Sequence, residues 1–326
     1  MKYAKSALLL LSVLGVCYGQ EAPTAPAAPP AQNAQTPAAE DSDAVFTSDT
    51  RLVELHVTVT DKNNQLITDL PQSAFKVYEN GQEQEIKVFR REDAPISLGL
   101  IIDNSASMLP RRDQVAAAAL KLVQLSNKDD EVFIMTFNDK PALIQDFTHD
   151  VNKLRTSLKK IDSNGATAMR DALLLGIEHE RRLATNDKKV LLVVTDGEDN
   201  SSFESLDRLV RSAQQAGVLI YAIGLLTDET ERGAAVAKRD LDALTFATGG
   251  EAFYPKDVAE VDGIAEHVAK DLRNQYTIAY SPTNQALDGT FRKIKVTVSR
   301  PDAKVQTRSG YFAERSGKTS APSGAQ

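Results

Sequence analysis

The chain has 326 residues, 42% hydrophobic and 25% charged, which suits a globular protein with a real core and room for about two domains. A formal net charge of −7 with no basic cluster argues against nucleic acid or anionic membrane surfaces as partners. Cys17 is the only cysteine, so a disulfide framework and thiol catalysis are excluded once the segment that carries it is removed.

That first segment reads as a targeting signal. Lys2 and Lys5 precede an apolar stretch from Ala7 to Val16, and the small residues Cys17 and Gly19 follow. Residues 1–19 are therefore expected to be a secretory signal peptide cleaved after Gly19. The apolar stretch is too short for a comfortable transmembrane helix, and no transmembrane span is expected in the mature protein. Leu14-Gly15-Val16-Cys17 also has the outline of a lipobox with Cys17 as the lipid attachment site, but Val16 is branched where a small residue is normally required. Export to the periplasm, cell surface or extracellular medium follows. Residues 20–44, rich in Pro, Ala and Gln, read as a disordered linker, and the polar residues 314–326 as a disordered tail.

From residue 45 to 94 the pattern is β. Val53, Leu55, Val57 and Val59 alternate with polar residues, as in a strand with one wet face. Asn80-Gly81 lies between Phe75–Tyr78 and Ile86–Phe89, predicting a hairpin. Residues 95–274 behave differently. Ile96–Ile102, Val190–Val194 and Val218–Gly224 are nearly continuous apolar runs, the mark of parallel strands covered on both faces. Val132–Phe137 and Ala142–Phe147 predict an antiparallel edge hairpin. Helical periodicity separates these runs: Val115, Ala118, Leu122 and Leu125; Met169, Leu173, Gly176 and Ile177; Leu206, Leu209, Val210 and Ala213. Two further helices are expected over about 232–247 and 258–274. In residues 275–313 the alternation returns at Tyr276, Ile278 and Tyr280 and at Ile294, Val296 and Val298, with a last strand from Lys304 to Phe312.

The expected fold is α/β, a doubly wound, mostly parallel sheet inserted between two β-rich flanks. Each flank has about three strands, too few for a stable unit alone, so the two are expected to pair into one small β-sandwich.

Three segments of the central unit carry chemistry. Asp103-Asn104-Ser105-Ala106-Ser107 follows the first apolar run, Thr167 stands in Asn-Gly-Ala-Thr, and Thr195-Asp196-Gly197 follows a second run. In a doubly wound sheet, residues just past the strands' carboxyl ends share one rim, and a helix starting near Ala168 brings Thr167 there too. Each residue alone has an ordinary reading as a helix cap or a turn. Together Asp103, Ser105, Ser107, Thr167 and Asp196 offer only oxygen ligands, which suits a hard divalent cation, Mg²⁺ first, with Mn²⁺ or Ca²⁺ as alternatives. Asp199 and Asn200 read as a solvated turn or as further rim oxygens, and Asp171 as a support for the helix start or for the ligands.

Asp-x-Ser-x-Ser with a distant Thr and a distant Asp resembles the metal-ion-dependent adhesion site (MIDAS) of von Willebrand factor type A (VWFA) domains, over roughly residues 95–274. The family more often has Gly where Ala106 stands. Residues 51–313 as a whole look like exported bacterial proteins with a VWFA-related domain, through Lys76-Val77-Tyr78-Glu79-Asn80-Gly81, Phe291-Arg292-Lys293-Ile294 and Ser309-Gly310-Tyr311-Phe312. The resemblance implies direct ligation by the hydroxyls, and by the aspartates directly or through water. The implied function is metal-dependent protein binding in which an Asp or Glu of an unknown partner completes the ion's coordination. The competing readings are a metal-assisted hydrolase and a structural envelope protein whose metal has no recognition role. Against the hydrolase, His56, His149, His179 and His267 are scattered and read as surface or helix-face residues, and no catalytic motif is found.

Overall fold

Val53, Leu55, Val57 and Val59 all face one core, and the strand that carries them lies in the middle of a sheet. The computed structural model describes residues 52–91 and 93–314. The expected signal peptide 1–19 with Cys17, the linker 20–44, the first residues of the N-terminal flank and residues 315–326 lie outside the described residues.

The N-terminal flank holds β1 (Val53–Thr60), β2 (Phe75–Glu79), β3 (Gln82–Gln84) and β4 (Ile86–Arg90). The central unit starts with β5 (Ile96–Asp103), α1 (Arg112–Gln124), β6 (Glu131–Phe137), β7 (Pro141–Thr148) and α2 (Val151–Leu158). It continues with α3 (Met169–Leu183), β8 (Lys188–Thr195), α4 (Leu206–Ala216) and β9 (Val218–Gly224). It ends with α5 (Glu231–Thr248), β10 (Ala252–Phe253) and α6 (Val261–Asn274). The C-terminal flank adds β11 (Tyr276–Tyr280), β12 (Phe291–Val298), β13 (Lys304–Gln306) and β14 (Gly310–Phe312).

The central sheet has the order β10-β9-β8-β5-β6-β7, parallel except for the β6–β7 hairpin at one edge. It is doubly wound, as expected. On one face Leu98, Leu100 and Ile102 of β5 pack with Val115, Leu122, Val268 and Leu272 of α1 and α6. On the other, Ile101, Phe133 and Leu191 pack with Leu173, Leu209 and Leu241 of α3, α4 and α5. Gly99 in β5 is required by close approach, since a Cβ there would meet Phe133 at 2.3 Å and Leu191 at 2.4 Å.

The flanks pair as two antiparallel four-stranded sheets, β13-β1-β11-β4 and β14-β12-β2-β3. One apolar core joins them, with Leu55, Val57, Phe75 and Val77 from the first flank and Tyr276, Ile278, Ile294 and Val296 from the second. Three details differ from the sequence expectation. Asn80 (φ 49°) and Gly81 (φ 86°) do form a tight turn, but the returning arm is Gln82–Gln84, and Ile86–Arg90 crosses to the other sheet to pair with β11. The expected last strand splits into β13 and β14, one in each sheet. The short helix α2 was also not anticipated. Asp150 caps it by accepting from the amides of Asn152 and Lys153, and Leu154 and Leu158 bury its apolar side.

A buried polar seam ties the flanks to the central unit. Asp271 of α6 accepts from Thr58 Oγ1 of β1 (2.7 Å) and from the Tyr221 hydroxyl of β9 (2.5 Å). Gln275 Nε2 donates to both of those hydroxyls. Lys188 Nζ donates to the Leu272 carbonyl at 2.6 Å. Burial pushes the Asp271 carboxyl up, and the hydrogen bonds from Tyr221 and Thr58 oppose it. His56 belongs to this region rather than to the surface. Burial, then the charges of Lys188 and Arg308, hold its imidazole well below the usual range, so it is neutral and its 3.7 Å approach to Glu54 is no ion pair.

Two expected outcomes follow from this architecture. A chain ending at Asn274 loses β11 from between β1 and β4, and β12 from beside β2. Limited proteolysis should then cut within 52–91 far faster than in the intact protein, and equal resistance contradicts a shared core. The second concerns Glu180 of α3, fully buried, with neither carboxyl oxygen hydrogen-bonded among the described residues. Burial pushes it up to about 9 from 4.5, helped by Glu131 and opposed by Lys189. The unfolded chain thus releases this proton first, and stability falls as pH rises from 4.5 towards about 9. Glu180→Met should therefore stabilise the protein by about 1–3 kcal/mol at pH 8. The gain should vanish near pH 4, as read by urea denaturation at both pH values.

Candidate metal centre

Strand order reverses at β5, with β6 on one side and β8 on the other, so the carboxyl ends of β5 and β8 form the crevice where doubly wound sheets bind ligands. Asp103 is the last residue of β5, and Asp196 directly follows β8. The loop after β5 makes a 3₁₀ turn over Ala106–Met108 that turns Ser105 and Ser107 back towards the strand ends. It is held from the side: Ala106 N donates to Gly165 O at 3.2 Å, and Asn164 N to Asn104 O at 2.8 Å. That tie brings the segment before Thr167 to the same rim.

The side chains form a continuous chain of oxygens. Ser105 and Ser107 Oγ atoms lie 3.1 Å apart, and Ser107 Oγ donates to Asp196 Oδ1 at 2.9 Å. Asp103 Oδ1 accepts from the Ser105 amide at 2.9 Å, and its Oδ2 from Thr195 Oγ1 at 2.7 Å. Thr167 is joined to the rim through its backbone: its amide donates to Asn200 Oδ1 at 3.0 Å, and its carbonyl accepts from the amides of Asn200 and Ser201. Asp103, Ser105, Thr167 and Asp196 are all buried.

Asp171, Asp199 and Asn200 brace the rim. Asp199 accepts from the Arg170 amide (2.7 Å), the Arg170 guanidinium, and the amide and hydroxyl of Ser202. With 2% of its side chain exposed, Asp199 is not a residue of a solvated turn. Asp171 accepts from the amides of Phe203 and Glu204, so both carboxylates clamp the loop after Asp196 to the first turn of α3. The clamped loop holds out Phe203, which is 94% exposed.

Two contributors carried no distinctive sequence signal. Thr195 orients Asp103, although its neighbour Asp196 drew the attention. Arg111, at the start of α1, donates from Nη1 to Asp196 Oδ2 at 2.9 Å. Glu229 also approaches, since a Cβ on Gly197 would lie 3.0 Å from its Oε2.

The electrostatics are those of a site short of positive charge. Burial pushes the Asp103 carboxyl up to about 6, against the hydrogen bonds from Thr195 and Ser105, and the neighbouring Asp196 charge adds to the rise. Burial also raises Asp196, opposed by Ser107 and Arg111 and reinforced by Glu229. The two carboxylates and the two serine hydroxyls that the structure brings together, with Thr167 tied to the same rim through its backbone, are all oxygen donors and fit a hard divalent cation. Each carboxylate oxygen of Asp103 and Asp196 accepts at least one hydrogen bond. No group of three His, Cys, Asp or Glu side chains suited to a metal occurs among the described residues. His149, His179 and His267 are engaged elsewhere, by the Asp130 carbonyl, Asp146 and Glu251, and His56 lies in the region of the buried seam. A groove lined in part by Leu175, Arg181, Arg208 and Phe312 contains none of the five predicted ligands.

Several known proteins are similar to parts of this chain. Inter-alpha-trypsin inhibitor heavy chain H3 of Pongo abelii is 27% identical over 215 residues, 60% of this chain and 24% of that protein. Heavy chain H4 of Homo sapiens is 24% identical over 209 residues, 58% of this chain and 22% of that protein. The chain thus spans about a quarter of the length of these curated relatives. Among solved structures, von Willebrand factor type A from Catenulispora acidiphila aligns over 82% of this chain and 75% of that one, at 14% identity and a TM-score of 0.49. The vWF domain of the type V pili tip protein Mfa5 from Porphyromonas gingivalis aligns over 55% of this chain and 97% of that one, at 12% identity and a TM-score of 0.45. The von Willebrand factor type A domain family itself matches residues 98–267. Domains of this kind typically mediate protein–protein interaction and are mainly non-enzymatic. That match takes in all but the first two residues of the central sheet, α1 to α5, the first half of α6 and all five predicted ligands, and the chain belongs to the von Willebrand factor type A domain family.

Proposed function

We propose that the protein is an exported, adhesion-type binding module. It holds a divalent cation, Mg²⁺ first among the candidates, on Asp103, Ser105, Ser107, Thr167 and Asp196, and captures an Asp or Glu side chain of a partner protein. The observation that carries this reading is the oxygen chain linking Ser105, Ser107 and Asp196 beside the buried Asp103, at the switch point of the sheet.

Bound there, the ion supplies a positive centre with a coordination position open to an incoming carboxylate. The protein's own part is to preorganise the oxygens. The Thr195 hydroxyl and Ser105 amide fix the Asp103 carboxylate, and Ser107 orients Asp196. Mostly neutral hydroxyls near the ion leave much of its charge uncancelled, which favours an anionic visitor. The braces from Asp171 and Asp199 keep the rim in shape for a large partner. No helix among the described residues is long and apolar enough to cross a membrane.

The direct test is affinity capture from an envelope extract, comparing wild type with Asp103→Ala, each with and without EDTA. The expected partners disappear under both treatments, and an unchanged captured set rejects the adhesion reading. Metal uptake should also depend on pH. The ion and a proton compete for Asp103, which is raised to about 6 without metal. Mn²⁺ affinity measured by calorimetry should therefore be nearly flat above pH 7 and fall by up to about tenfold per unit below pH 6. A flat profile down to pH 5 would exclude Asp103 as a ligand that titrates in this range.

A further inference from the structure

Arg111 reaches into the candidate metal centre from a fixed backbone position. Its amide donates to the Met108 carbonyl at 2.9 Å, and its carbonyl accepts from the Val115 amide at 3.0 Å as α1 begins. Its guanidinium meets Asp196 Oδ2 at 2.9 Å, while Ser107 holds Oδ1, so both oxygens of that carboxylate are oriented at once. The contact is sheltered, with 13% of the Arg111 side chain and 2% of the Asp196 side chain exposed. An ion pair this sheltered is screened far less by salt than one on the open surface.

Resting on the metal reading above, we propose that Arg111 is a resident counter-cation of the site. It is a positioning residue that orients and balances Asp196 when no divalent ion is bound, and its charge limits how tightly that ion is held. A divalent cation entering the oxygen cluster meets a guanidinium already paired with one of its ligands. The two positive charges repel at short range in a partly buried setting, so binding of the ion alone is weakened. The same guanidinium favours an arriving carboxylate. Arg111 therefore shifts affinity away from the ion by itself and towards the ion together with its anionic ligand. Lysine at this position keeps the charge but loses the planar fork that orients a carboxylate.

The test is calorimetric titration of the purified protein with Mn²⁺ at pH 7.5, on wild type, Arg111→Gln and Arg111→Lys, with melting temperatures in EDTA and in saturating Mn²⁺. Arg111→Gln should bind Mn²⁺ at least about tenfold more tightly than wild type, and Arg111→Lys should stay within a few-fold of it. Arg111→Gln should melt lower than wild type in EDTA, where its buried carboxylates lack a counter-charge, and the gap should close in saturating Mn²⁺. A purely structural role would leave the gap open in both conditions. Wild type that binds Mn²⁺ while Arg111→Gln binds equally or more weakly overturns the role of Arg111 and leaves the metal reading standing. No Mn²⁺ uptake by any of the three overturns the metal reading, and this inference with it.

Discussion

Two carboxylates at the ends of adjacent parallel strands, both taken out of water, form the constraint around which the rim is arranged. Asp103 and Asp196 stand there because β5 and β8 are neighbours that end at the same edge. Leaving both ionised and unbalanced would be costly, since a desolvated charge is tolerated only with partners. The surrounding groups answer that cost piecemeal, through the Thr195 and Ser107 hydroxyls, the Ser105 amide and the Arg111 guanidinium. None of these outweighs the loss of water around Asp103, which with a smaller contribution from the Asp196 charge keeps its carboxyl raised.

The central sheet was readable because its strands are apolar on both faces and its helices keep a clean apolar period. The pairing of the flanks was readable from a count of strands too small for independence. Register and sheet assignment were less so. Alternation in Ile86–Arg90 says that the segment is a strand, but not which sheet receives it, and the crossing after Gln84 is settled by packing against Tyr276 and Phe75. The break between β13 and β14 is likewise tertiary, with Lys304–Gln306 pairing to β1 and Gly310–Phe312 to β12.

At the site, residue types with strong ligand chemistry announced themselves, and groups acting through another residue did not. Arg111 is one arginine among many in the sequence, and only the turn at Ala106–Met108 aims it at Asp196. Asp199 looked like part of a polar turn because its partners, the Arg170 amide and guanidinium, lie 29 residues away in the chain. Glu180 and His56 show the same limit from the other side. Their titration behaviour comes from burial that no local pattern reveals.

The seam around Asp271 has a mechanical consequence. α6 runs through one residue, Gln275, into β11, which is an inner strand of a flank sheet, and the end of α6 is also pinned to β1, β8 and β9. A helix fastened in this way cannot slide along its own axis alone. Any axial stroke of α6 must pull on β11 and shear the sheet between β1 and β4, so the flank sheets resist displacement of the last helix of the von Willebrand factor type A domain.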